Sequence, residues 1–208
     1  MEPRLRAGIS ELGLELADQQ YLSLLNYIDL LQKWNKVYNL TAVRDPAQML
    51  VRHLLDSMAV APWCGGQRLI DVGTGAGLPG VPLAILYPEK EFHLLDSNGK
   101  KTRFLFQVKT ALRLENITVH HTRVEYFKPN ERYDAVLSRA FSSLLDMVNG
   151  CGHLLDDTGQ FLAMKGVVNE VEVAAVEALG LLSTVHALSV PGLAEQRHLV
   201  VLSGTKSG

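Results

Sequence analysis

The chain has 208 residues, 47% hydrophobic and 20% charged, with a formal net charge of -2; this suits one α/β domain plus an appendage and argues against the uniformly basic surface of a general nucleic-acid coater, leaving any RNA contact to a local patch. Its two cysteines, Cys64 and Cys151, stand far apart and outside any C-x-x-C or His-rich pattern, which argues against disulfides and zinc and fits a reducing cytoplasm. No apolar run reaches the roughly 18 residues of a membrane span, and residues 1–12 interleave Glu2, Arg4, Arg6 and Glu11 with apolar neighbours, unlike a signal peptide.

The first third reads as helices. Tyr21, Leu24, Leu25, Ile28, Leu31 and Trp34 recur at three- and four-residue steps, predicting a helix over 18–36 with Asp18 as its N-cap and Tyr21, Tyr27 and Trp34 in the core. A second helix is predicted over 46–60, opened by Pro46 and closed by Pro62. Gly65-Gly66 marks the junction between a helical extension, 1–64, packed on the core, and an α/β unit, 65–208. In that unit short apolar runs alternate with amphipathic stretches. Strands are predicted over 68–72, 91–95, 117–121, 135–138 and 160–164, with helices over 78–87, 99–114, 142–151 and 168–179. Two last strands, 182–190 and 198–203, flank a connection too short for the dozen or so residues of a parallel crossover. They therefore form an antiparallel pair that closes a mostly parallel, seven-stranded sheet. That topology is usual for methyltransferases and unusual for dinucleotide dehydrogenases.

The sharpest local signal is Asp71-Val72-Gly73-Thr74-Gly75-Ala76-Gly77-Leu78-Pro79-Gly80. Alternating glycines let the chain turn tightly at a strand end and leave no side chain between backbone and ligand, and Pro79 starts a helix whose free N–H groups face that ligand. Gly75-x-Gly77-x-x-Gly80 also matches the dinucleotide fingerprint, so an NAD-dependent oxidoreductase is an alternative reading. Asp71 favours S-adenosylmethionine (SAM): a carboxylate there repels a pyrophosphate and welcomes an ammonium, directly or through water. Asp96, about 20 residues beyond the glycines, is placed to accept hydrogen bonds from ribose hydroxyls of either cofactor.

With these residues in view, the chain resembles the RsmG (GidB) family of bacterial ribosomal RNA guanine-N7 methyltransferases over nearly its whole length. The resemblance is carried by the glycine loop with Val81-Pro82-Leu83-Ala84, by Trp34-Asn35-Lys36 with Asn39-Leu40-Thr41, and by Arg52-His53 with Asp56-Ser57. Lys100-Lys101 with Phe104-Leu105, Arg123-Val124-Glu125, Ser138-Arg139-Ala140 and Lys165-Gly166 follow in family order. Asp96-Ser97 stands where the family commonly has Glu-Ser, and Thr74 where it has serine; both swaps keep the chemistry. The resemblance implies a Rossmann-like class I SAM-dependent methyltransferase domain over 65–208, with a pocket lined by the Gly73 backbone, Leu78, Val124, Glu125 and Arg139. It further implies N7 of the guanine at position 527 of 16S ribosomal RNA as the acceptor. Physically, Val124 offers an apolar face to adenine, Glu125 accepts from its amino group or orders the adjacent backbone, and Arg139 stands at a strand's C-terminal end beside the cleft.

Absences narrow the chemistry. Methylases of exocyclic amino groups carry Asn/Asp-Pro-Pro-aromatic after the fourth strand, where this chain has Ser138-Arg139-Ala140-Phe141, and neither cysteine has the activating setting of a carbon-5 nucleophile. Guanine N7 has a free lone pair and needs no base, so Arg139 is expected to orient the guanine or its phosphate. Candidate RNA contacts are Lys33, Lys36, Arg44 and Arg52, then Lys100, Lys101, Arg103 and Lys109, and Lys165. His53 and Asp56, three residues apart, are expected to form a structural pair. The sequence reading is thus a monomeric, metal-free enzyme acting on the small ribosomal subunit, with a non-enzymatic ribosome assembly factor as a further alternative.

Overall fold

The computed structural model describes residues 1–204. Seven strands, β1 (Arg68–Val72), β2 (Glu91–Asp96), β3 (Ile117–His121), β4 (Tyr133–Ser138), β5 (Leu155–Lys165), β6 (Leu181–Leu188) and β7 (Arg197–Gly204), form one sheet in the order β3-β2-β1-β4-β5-β7-β6. β1 to β5 are parallel, and β7 lies antiparallel between β5 and β6. Because β7 is reversed, its first residue, Arg197, lies at the edge of the sheet where β4 and β5 end; Lys165 pairs with His198. This is the expected Rossmann-like architecture with one antiparallel strand. β5 is longer than the sequence predicts, since Asp156-Asp157-Thr158-Gly159 has the composition of a turn yet continues the strand after a register shift between Tyr133 and Ala135.

The strand period of two sorts the apolar residues onto opposite faces of the sheet. Leu69, Leu94, Ala135, Leu137 and Leu162 join one core; Ile70, Val72, Leu95, Val136 and Phe161 join the other. The first face carries α1 (Glu2–Glu11), α2 (Asp18–Tyr38), α3 (46–58), α4 (Gly80–Leu86) and α5 (Gly99–Leu112), and the second carries α6 (Leu144–Cys151) and α7 (Glu170–Glu177). The helix α3 runs from Pro46–Met49 through a π-helical stretch, Leu50–Leu55, into Asp56–Met58. Leu5, Ile9, Leu24, Ile28 and Leu54 belong to the same apolar cluster as Leu83 and Leu105, so the N-terminal helices are continuous with the first face. Tyr21 and Tyr27 are buried there, and Trp34 packs on Phe104 at 5.7 Å between ring centroids.

Two local expectations differ from the structure. The N-cap of α2 is Ala17, not Asp18: Gln20 Oε1 accepts from the Ala17 N–H at 2.8 Å, while Asp18 receives Arg6 Nη2 at 2.7 Å and so ties α1 to α2. His53 does not pair with Asp56. A π-helical turn is wider than an α-turn, and across it His53 Nε2 is aimed at Thr41 Oγ1, 2.9 Å away, while Asp56 faces two arginines.

Candidate functional site

The order of strands reverses at β1, whose neighbours are β2 and β4, and ligands of open α/β sheets bind at the carboxyl ends of the strands beside such a point. A cleft of about 370 Å³ lies there. Each of its walls is the segment at or after a strand end: Val72 and Gly73 from β1, Leu95 to Ser97 from β2, Thr122 to Glu125 after β3, and Ala140 with Phe141 after β4. Gly73 sits at φ 68°, and a Cβ there would approach the Ala140 methyl to 2.6 Å. The glycine thus keeps two walls together without filling the space between them. Asp96 closes the floor: Oδ2 accepts from the Gly75 N–H at 2.9 Å, Oδ1 from the Asn98 N–H at 2.8 Å, and Lys101 Nζ stands 3.6 Å from Oδ2.

Asp71 serves a different purpose from the one its position in the sequence suggests. It is 1% exposed and turned into the loop, where Oδ2 accepts from Thr74 Oγ1 at 2.7 Å and from the Gly80 N–H at 2.8 Å. The first N–H of α4 is therefore satisfied by this carboxylate and does not face the cleft. Oδ1 is buried without a partner. Burial pushes the carboxyl up to about 6, against the Thr74 and Gly80 hydrogen bonds that pull it down. Gly80 has no room for a side chain: a Cβ would press on Leu94 and come within 2.9 Å of Asp71 Oδ2. Gly80→Ala is expected to cost about 2 kcal/mol, the usual overpacking penalty, read as a lower urea midpoint at unchanged slope; a variant of unaltered midpoint would show that the contact relaxes freely.

A second cleft of about 260 Å³ is lined by Asp56, Arg139, Met164, Lys165, Gly166 and Arg197, and its Arg139 directly precedes Ala140, which lines the first. Asp56, 1% exposed, bridges two guanidiniums: Oδ1 accepts from Arg197 Nε at 3.1 Å, and Oδ2 lies 3.3 Å from Arg139 Nη2. Burial raises its carboxyl pKa and both arginines oppose the rise.

The family described as rRNA small subunit methyltransferase G matches residues 20–200. The ribosomal RNA small subunit methyltransferase G of Salmonella arizonae is 52% identical over 198 residues, covering 95% of this chain and 96% of the relative. The protein of the same name from Shewanella denitrificans is 50% identical, covering 97% of each. The chain belongs to this family. Among solved structures, a SAM-dependent methyltransferase from Aquifex aeolicus aligns at a TM-score of 0.60 with 18% identity, over 86% of this chain and 98% of that one, a likeness of fold. Neither the oxidoreductase nor the assembly-factor alternative finds support in these matches.

Within this member of the family, the structure separates the expected site residues. Gly73, Asp96, Val124 and Glu125 line the first cleft; Gly75 donates to its floor; Gly77 and Leu78 are buried behind the loop. Arg139 and Lys165 line the second cleft, and Arg139 is not among the residues lining the first. Lys165 is engaged by Ser142 O at 2.9 Å and Glu172 at 3.2 Å, Arg52 by Gln48 and Glu195, and Lys109 by Ile117 O at 2.6 Å. Lys33, Lys36, Lys100 and Arg103 are exposed, and Lys36 and Arg44 flank a further cavity of about 230 Å³. Sequence reasoning missed Ser97, Thr122, Arg123, Phe141 and Arg197 as lining residues. The signal for Arg197 is topological, since reversing the last strand brings its start to the edge where β4 and β5 end. Both cysteines are buried and pushed up to about 12, chiefly by burial, which suits no thiolate chemistry.

Two imidazoles are held neutral. Burial lowers His53 to about 4, with the Arg139 charge adding to the effect, and lowers His93, 2.7 Å from Tyr133 Oη and 2.9 Å from His120 Nε2, to about 4. Unfolded histidine takes its proton near 6.5, so each ring's contribution to stability is present above that pH and is lost as pH falls from about 6.5 to 4. Asp71, raised in the fold, runs the other way: its contribution is present below about 4 and lost as pH rises through 6. Global unfolding sums the two, whereas ring-nitrogen NMR separates them. Both rings are expected to stay neutral down to pH 5; a midpoint near 6.5 for either would contradict the burial described here.

Proposed function

We propose that the first cleft binds SAM and that the enzyme transfers its methyl group to N7 of guanine 527 in 16S ribosomal RNA, the guanine being presented from the second cleft. The observation that carries this reading is that consecutive residues, Arg139 and Ala140, line two unlike clefts: one with Asp96, Glu125 and Arg123 among apolar Val72, Leu95, Val124 and Phe141, the other with Arg139, Lys165 and Arg197 around the single acid Asp56. The residues fit the cofactor. The first cleft falls within the roughly 300–1,000 Å³ of small-molecule sites, its acids suit a cation, and Gly73 leaves open the space a side chain would fill.

SAM, when bound, supplies an electrophilic methyl group. The rest of the chemistry is positioning. Asp96 retains lone pairs beyond those taken by Gly75 and Asn98, enough to accept from ribose hydroxyls. Val124 gives adenine an apolar face. Guanine N7 carries no proton, so no side chain must act as a base. That lone pair has to stay free to attack, which means Arg139 cannot make the common bidentate contact to O6 and N7 of guanine; its guanidinium is assigned to a phosphate or to O6 alone. Aligning donor and acceptor in this way is worth several kcal/mol, up to about 10.

On the same reading, residues 1–64 form a helical extension on the methyltransferase domain, 65–208. Lys33, Lys36, Arg44 and Arg52, with Lys100, Lys101, Arg103 and Lys165, then supply the RNA-facing charge. The protein acts in the cytoplasm as a monomer without a metal. The test is incubation with methyl-labelled SAM and small subunits from a strain lacking the enzyme. Label on N7 of guanine 527 is expected; label on another atom, or none, would refute the assignment.

A further inference from the structure

Building on the second cleft as the RNA side of the site, we propose that Asp56 is a positioning residue that fixes Arg139 and Arg197 as a two-pronged grip on an RNA phosphate. The two guanidiniums come from different elements, the end of β4 and the start of β7, and both reach the same buried carboxylate, at 3.3 and 3.1 Å. Two like charges brought this close repel unless an anion lies between them. Asp56 is that anion, held by α3 at 1% exposure, while the arginine side chains remain 29% and 21% exposed toward the cleft.

Each guanidinium offers five N–H donors in a fixed fork. Arg139 spends Nη2 on Asp56, and Arg197 spends Nε there and Nη1 on the Gln196 carbonyl at 2.9 Å. The remaining donors are available to a tetrahedral oxyanion, the geometry for which arginine is suited. Two arginines against one aspartate leave the trio a net cation, and the neighbouring Lys165 and Arg52 are each matched by an acid, Glu172 and Glu195. The arginine pair is thus the cationic part of this cleft that its own salt bridges do not neutralise.

The proposal makes a prediction opposite in sign to simple charge counting. Asp56→Asn removes a negative charge, which by long-range electrostatics alone tightens RNA binding. Loss of positioning does the reverse. The RNA KM of Asp56→Asn is expected to rise about tenfold and the slope of affinity against log salt to shrink by about 0.7–0.9, corresponding to the one phosphate gripped. Affinity for S-adenosylhomocysteine is expected to stay within about twofold, and Asp56→Glu to recover part of the loss. An RNA KM that is unchanged or lower, or a parallel fall in affinity for S-adenosylhomocysteine, would overturn the proposal. Should Asp56→Asn fail to fold, Arg197→Gln leaves the buried carboxylate paired with Arg139 and is read the same way: a shallower salt slope and weaker RNA binding support the grip, and wild-type values overturn it. Wild-type enzyme run in parallel separates the two claims. If it does not methylate the RNA, the functional reading fails and the grip with it; if it does and the variants match it, the grip alone fails.

Discussion

Asp96→Ala is expected to weaken binding of S-adenosylhomocysteine by about 100-fold or more, the largest effect on cofactor affinity of any single change at this site. The carboxylate is 5% exposed and already accepts from the backbone of Gly75 and Asn98. Removing it strips the glycine loop of its tie to β2, leaves two N–H groups in search of acceptors, and deletes the groups assigned to the ribose. Hydrogen bonds to a charged group contribute roughly 1.5–3 kcal/mol each, so losing the ribose contacts alone accounts for the expected factor. Asp96→Asn, which keeps an acceptor oxygen, is expected to lose less. Isothermal titration of the three proteins checks the order; equal affinity in wild type and Asp96→Ala would remove Asp96 from the cofactor site.

Arg139→Ala has the complementary expectation: kcat for RNA methylation down by about 100-fold, the cost of a misplaced acceptor, with affinity for S-adenosylhomocysteine within about threefold. The separation follows from geometry, since Arg139 lines the second cleft, not the one assigned to the cofactor, and contacts Asp56 there. A structural role alone would lower stability without splitting the two readouts. If cofactor binding collapsed while turnover at saturating SAM stayed normal, Arg139 would belong to the first cleft.

The topology was legible because it follows from chain length: the connection before β7 cannot cross the sheet, so the last two strands had to be antiparallel. The glycine loop was legible because only glycine serves where walls meet as closely as Gly73 and Ala140 do. What escaped were the directions of side chains. Asp71 reads as a ligand group, yet the approach of Gly80 lets its carboxylate cap α4 from within. His53 and Asp56 read as partners at helical spacing, and the π-helical stretch turns them apart. The helix α1 buries only Leu5, Gly8 and Ile9 among charged neighbours, too weak a stripe to stand out. Arg197 sits in a stretch that looks like a loop, and its importance appears only when β7 is laid against β5.

The most direct test of the two-cleft site is the crystal structure of the protein with S-adenosylhomocysteine. The nucleoside is expected in the first cleft, with ribose hydroxyls within hydrogen-bonding distance of Asp96, adenine against Val124, and sulfur directed toward Ala140 and the arginine-lined cleft beyond. A nucleoside bound elsewhere, or sulfur pointing away from Arg139, would contradict it.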